Sequence, residues 1–142
     1  MTTARDASVT LADIGRADFR PSLGADADCG ALQRALALPF RYQIARLAIA
    51  RSLAIPSVPP APADAGGRSI RGETLFGTNV AEIGLWLALL AEHANRPDLS
   101  RRDVQELTAA HWARGAALLE DQWRASGNQF ESFIKHLIAN RR

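Results

Sequence analysis

The sequence reads as a small, mainly α domain of about five helices with one long Pro/Gly-rich loop. Three observations carry that reading. With 142 residues, 47% hydrophobic and 23% charged, the chain can bury one core, and wholesale disorder is excluded. Apolar residues recur at three- and four-residue spacing over long stretches. Three of the apolar runs are preceded by residue pairs with capping-box spacing.

Taken in order, residues 1–17 are polar and lack sustained periodicity, which predicts a mobile tail ahead of a single helical domain over 18–142. Asp18 to Ser22 (DFRPS) is a short extended segment that Pro21 confines to an edge. From Gly24 to Leu38 the spacing of Ala27, Ala31, Leu32, Ala35 and Leu36 predicts a helix, which Leu38-Pro39 ends. A second helix is expected from about Phe40 to Ile55. It is apolar nearly all round: Ile44, Leu47, Ala48 and Ile55 share one side, and Tyr42, Ile49 and Leu53 the other. Such a helix must be surrounded, and in so short a chain the missing cover is expected from a second subunit. Arg46 and Arg51 lie within it and need partners, because a buried unpaired charge is very costly.

Residues 56–68 hold four of the seven prolines and a Gly-Gly pair, so they form a long loop. Ser69 to Gly77 reads as a turn or a short extended piece. Three helices follow, opened by Asn79 with Glu82, Ser100 with Asp103 and Asn128 with Glu131; the last spans about 128–140. Gly115 interrupts the middle helix at a cost of about 1 kcal/mol against alanine, which predicts close approach of another backbone.

Charge narrows the partners. Sixteen of the 17 basic residues are arginine, yet the formal charge is only +2. Residues 20–55 hold five arginines against two aspartates, whereas residues 73–100 hold four acids against one arginine. The planar guanidinium fork suits phosphate oxygens. The longest apolar stretch, Ile83 to Ala91, is too short to span a bilayer, and the N-terminus lacks a secretion signal, so a cytoplasmic protein is expected. His93, His111 and His136 lie on three different helices without metal-ligand spacing, and no glycine loop of nucleotide-binding type is present. Cys29 lies beside Asp26 and Asp28, which disfavours a reactive thiolate. The expectation is a non-enzyme with no cofactor and no metal. His111 and Arg114 sit one turn apart and could hold a carboxylate such as Glu73, or a phosphate; an inter-helix polar lock of Arg46, Arg51, Glu73, His111 and Arg114 is the favoured reading.

Three segments, ARLAIARSL (45–53), RGETLFG (71–77) and AHWARGAALL (110–119), in this order, resemble the DndE family of DNA sulfur modification proteins. The similarity runs from about Asp18 to Leu119. It implies a small, mainly helical protein that forms tetramers, favours nicked double-stranded DNA, and works beside separate sulfur-transfer and ATPase subunits. The sequence departs from the family in places. The stretch GADADCGALQRA is poor in the expected basic residues, Thr78 replaces a glutamate, and Ala113 replaces an asparagine. The C-terminal helix lies beyond the similarity.

The function expected from this resemblance is a non-catalytic DNA-binding or scaffolding subunit of a DNA phosphorothioation system, acting as a homo-oligomer. Arg20, Arg34, Arg41, Arg101 and Arg102 are the expected phosphate contacts, Arg101 and Arg102 because they flank a helix N-terminus. No exposed base-reading helix is evident, so backbone contacts are expected. One alternative is an assembly adaptor without DNA contact. The other is a ribbon-helix-helix regulator, suggested by the extended segment ahead of two helices.

Overall fold

In the computed structural model, residues 10–139 are described. They form seven helices and one two-stranded ribbon: α1 (Leu11–Arg16), β1 (Asp18–Phe19), α2 (Leu23–Ala35), α3 (Arg41–Leu53), β2 (Ile70–Arg71), α4 (Gly72–Leu75), α5 (Val80–Ala94), α6 (Arg101–Ala125) and α7 (Phe130–Ala139). The mainly α class stands.

Helix α3 is the hub. It lies along α6, with α2, α4 and α5 packed around it. Ile44, Ala45, Ala48 and Ile49 are each at most 1% exposed within one chain. This corrects the expectation that a second subunit must supply their cover: the 25-residue α6 is long enough to shelter the helix. The close approach expected at Gly115 is present, since a Cβ there would run into the Ala48 carbonyl and lie 2.9 Å from its Cα.

The tail expectation is also corrected for residues 10–17; residues 1–9 lie outside the described residues. Thr10 and Asp13 form a reciprocal capping box, and Ile14 and Gly15 are buried. A six-residue helix is too short to display periodicity, so the cap was its main signal. α1 packs against α4 and α5. A Cβ on Gly72 would collide with the Ile14 carbonyl, so that turn requires glycine.

The extended segment is shorter than Asp18–Ser22. Asp18 pairs with Arg71 and Phe19 with Ile70, antiparallel, while Ser22 already caps α2 through the Ala25 amide. β1 therefore has its partner in the same chain, which removes the pairing between copies that a ribbon-helix-helix regulator requires. Phe19 is fully buried and meets Phe76 edge-on at 5.1 Å.

The Pro/Gly-rich loop folds back onto the β1–α2 junction. The Gly67 amide donates to the Pro21 carbonyl (2.9 Å), and the Leu23 amide to Asp64 Oδ1 (2.8 Å). After it, 69–77 contains β2 and the single helical turn α4, where the sequence suggested only a turn or extended piece. Ser100 and Asp103 form the expected capping box, whereas Asn79 caps α5 through the Ala81 amide. Asn128 does not cap α7. Its φ is 60° and its amide closes the end of α6 on the Trp123 carbonyl, so α7 starts only at Phe130. α7 docks by Phe133 against Trp123, with centroids 5.3 Å apart.

Candidate functional site

The two ends of α3 carry the molecule's polar side chains in different ways. At its C-terminal end Ser52 is fully buried and meets His111 Nδ1 at 2.8 Å. Arg114 donates from Nε to Ser52 Oγ (2.8 Å) and from Nη2 to the Ser52 carbonyl (2.9 Å). Nη2 also reaches the Ile55 carbonyl at 3.4 Å, and Nη1 reaches Ser57 Oγ at 3.1 Å. His93 Nε2 donates to the Ile55 carbonyl at 2.6 Å, and its ring stands edge-on to His111 at 4.6 Å. Burial, reinforced by the facing His93 and the Arg114 charge, pushes His111 down to about 4, so it is neutral at physiological pH. Ser52 Oγ is closed to solvent and already receives the Arg114 donor, so this serine–histidine contact serves packing.

The polar lock therefore forms, with a different membership. Glu73 is exposed and has no hydrogen bond or ion pair among the described residues, so it is not the carboxylate between His111 and Arg114. Arg46 donates to the Leu75 carbonyl (2.6 Å) and the Thr74 carbonyl (3.2 Å), and Arg51 donates to Gln122 Oε1 (3.3 Å). Carbonyls and an amide replace the expected ion pairs. A carbonyl accepts from a guanidinium without requiring a second buried charge, which avoids a desolvation penalty. Ser52, His93 and Ile55 were missed because their role depends on tertiary contact, and the sequence offered only a serine between Arg51 and Leu53.

At the N-terminal end of α3 an open cleft of about 390 Å³ lies between the end of α2, the start of α3 and the β2–α4 junction. Arg41, Arg71, Phe40 and Tyr42 line it together with Gln33 and Thr74, and among the described residues no carboxylate does. Phe40 and Tyr42 stack with an interplanar angle of 15° and centroids 5.6 Å apart, and the Arg46 guanidinium lies 4.5 Å from the Tyr42 ring centre. Arg71 is exposed, and its side chain has no hydrogen-bond or ion-pair partner among the described residues. Neither Arg71 nor the ring pair was among the expected site residues; only RGETLFG pointed at Arg71.

The arginines named from sequence are not brought into one patch. Arg41 lines this cleft, but it also ties the loop down, donating to the Arg68 carbonyl (2.9 Å), the Ser69 carbonyl (3.4 Å) and Asp26 Oδ1 (3.4 Å). Arg34 is exposed and unpaired among the described residues. Arg20 holds the Gly67 carbonyl at 3.2 Å. Arg20 and Arg102 line a second groove, of about 810 Å³, whose walls also carry Asp18, Asp64, Asp103 and Glu106. Arg102 pairs with Glu106 at 3.3 Å. Arg101 stands exposed at the start of α6. Arg96 lines it too but pairs with Asp103 at 2.9 Å, so four carboxylates against three arginines make the larger groove a poor phosphate site.

Burial pushes the Cys29 thiol up to about 12, with Asp28 and Asp26 adding to the shift. Among the described residues no three His, Cys, Asp or Glu side chains converge as a metal site, and no helix is long and apolar enough to cross a membrane.

Fold and site together define a small helical-domain protein organised on one central helix, with a basic, aromatic cleft at one end. The family model for the DNA sulphur modification protein DndE matches residues 23–126, from the first turn of α2 to the end of α6. The chain belongs to the DndE family, which places it in DNA sulfur modification. The match covers α3, the cleft and the polar lock, and excludes α1, β1 and α7. Comparison with curated proteins and with solved structures returned no match.

Proposed function

We propose that the chain is a non-catalytic, cytoplasmic DNA-binding and scaffolding subunit of a DNA phosphorothioation system. In this reading it grips the backbone of double-stranded DNA, at nicks, as a homo-oligomer. The observation that carries the reading is the carboxylate-free cleft in which Arg71 is unspent and Arg41 is held in place. Exposed Arg34 directly follows the cleft residue Gln33, and Arg101 stands apart from the cleft at the start of α6, while Arg20 and Arg102, set among carboxylates, contribute little.

Self-association has a surface available to it, though not the one the sequence suggested. Leu85 and Leu89 are 64% and 42% exposed on α5, and Phe130, Ile134 and Ile138 form a stripe along α7. Covering such faces is the usual outcome for apolar patches of this kind. The tetramer implied by the family resemblance would bury the α5 face, since α7 lies outside the family match.

Binding to nicked and intact duplexes, measured across a salt series, tests the proposal. A measurable affinity whose logarithm falls linearly with log salt is expected, with a shallower slope for R34A, R71A and R101A variants. A folded protein that binds neither duplex at low salt overturns it. That result would favour the adaptor reading, for which the exposed apolar stripe of α7 is the supporting observation.

A further inference from the structure

We propose that the cleft at the N-terminal end of α3 accepts one unpaired nucleotide of a DNA strand, with the base on Phe40 and the phosphate on Arg71 and Arg41. The inference rests on the DNA-binding reading above and names the ligand of that site.

Three features of the cleft match the two halves of a nucleotide. The first is a flat apolar platform. Phe40 is 55% exposed although it is aromatic, and it stacks nearly parallel on Tyr42. Tyr42 is backed by the Arg46 guanidinium, which the Leu75 and Thr74 carbonyls hold in turn. The platform is therefore fixed before a ligand arrives, which lowers the ordering cost of binding. Every base has a π-face, so such a surface accepts any of them.

The second feature is unspent positive charge beside that platform. The Arg71 side chain has no partner among the described residues. Arg41 uses Nη1 and Nη2 on the loop, and its Nε makes no hydrogen bond among the described residues. Asp26 is the carboxylate nearest to Arg41, and Arg68 occupies both of its oxygens, at 2.9 Å each. Among the described residues no acid lines the cleft to repel a phosphate. The third feature is a set of neutral hydrogen-bonding side chains, Gln33 and Thr74 among them, suited to the polar edge of a base.

Size and shape choose the source. About 390 Å³ falls in the range of small-ligand sites, roughly 300–1,000 Å³. A site for a free mononucleotide would enclose most of its ligand. This cleft is open, which leaves a way in and out for a continuing strand.

The test compares a duplex containing one unpaired adenine with the same duplex carrying an abasic nucleotide at that position, using the full chain. The wild-type protein is expected to bind the adenine duplex about tenfold tighter, the scale of one base–aromatic stack. F40A should erase that preference, bringing the adenine duplex to the level of the abasic one, F40W should keep it, and R71A should weaken both duplexes alike. Because Phe40 is exposed, these variants should fold, and a circular-dichroism melt verifies it. Equal wild-type affinity for the two duplexes overturns the nucleotide inference but leaves backbone binding standing. Binding of neither duplex overturns the DNA-binding reading and this inference with it. Displacement of the adenine duplex by dAMP at comparable concentration overturns the assignment to a strand and makes the cleft a mononucleotide site.

Discussion

Arg114 and Arg71, at opposite ends of α3, make opposite use of the same residue type. At the C-terminal end Arg114 donates to two backbone carbonyls and two serine hydroxyls, and the neighbouring His111 is neutral and enclosed. At the N-terminal end Arg71 faces solvent with its donors unspent, beside a ring that is more than half exposed. An arginine-rich segment is thus not a phosphate-binding segment as such. What decides is whether carbonyl oxygens converge on the guanidinium. Where α3 ends, the Ser52 and Ile55 carbonyls turn to Arg114, whereas no carbonyl reaches the Arg71 side chain among the described residues.

The largest effect should come from Gly115, where the closed end has no slack. Gly115→Ala drives a methyl group into the Ala48 backbone and must part α3 from α6. A loss of about 3 kcal/mol or more in denaturant unfolding is expected, at or beyond the upper end of ordinary overpacking. A change below about 0.5 kcal/mol, the scale of an ordinary surface substitution, would show that the two helices can separate freely and would dissolve the contrast between the ends.

His111 comes next, through pH. Its folded value, about 4, lies below the ordinary histidine value, so the unfolded chain takes up a proton that the folded one refuses. Its contribution is complete above about pH 6.5 and is lost as pH falls from there toward 4, by about 3 kcal/mol in all. A pH series of urea unfolding should show this slope, and H111Q should flatten it in that window. Arg114→Ala follows, at about 2 kcal/mol, because it strips a charged donor from Ser52 and from the Ile55 carbonyl. Arg114→Lys should recover only part, since one ammonium cannot span the same acceptors.

How far the sequence foretold these ends follows from the range of the interactions. Helices α2, α3, α5 and α6 were legible because three- and four-residue apolar spacing and caps such as Ser100 with Asp103 are local signals. Gly115 was legible for a related reason, because a glycine inside a helix needs a cause. Partners were not legible. Glu73 looked like the acid for His111 by charge, yet α4 turns it to solvent while Ser52, 59 residues from His111 in sequence, takes the contact. Arg41 was expected as a phosphate contact; its anchoring of the loop depends on a fold-back that local composition does not encode. Phe40, next to Pro39, read as a helix start; its exposure beside Arg71 appears only once β2 is paired.

The smallest expected effect on stability is also the most informative about the open end. Asp26 accepts the Arg68 side chain and amide and reaches Arg41, and the Arg68 hydrogen bonds hold its carboxyl below the usual carboxylate range. The sign is that of a depressed acid: the contribution is complete above the ordinary value near pH 4 and fades as pH falls through the lower folded value. Asp26→Asn should therefore cost little global stability at neutral pH and remove the small acid-dependent loss. Locally it should loosen the loop, raising hydrogen exchange at the Arg68 and Gly67 amides, which the Asp26 carboxylate and the Pro21 carbonyl now hold. It also removes a negative charge in contact with Arg41, so DNA affinity at low salt should rise, by about twofold given screening of a partly exposed pair. A structural cleft would show the looser loop without the gain in binding. If the open end exists to meet phosphate, stability and affinity must move in opposite directions.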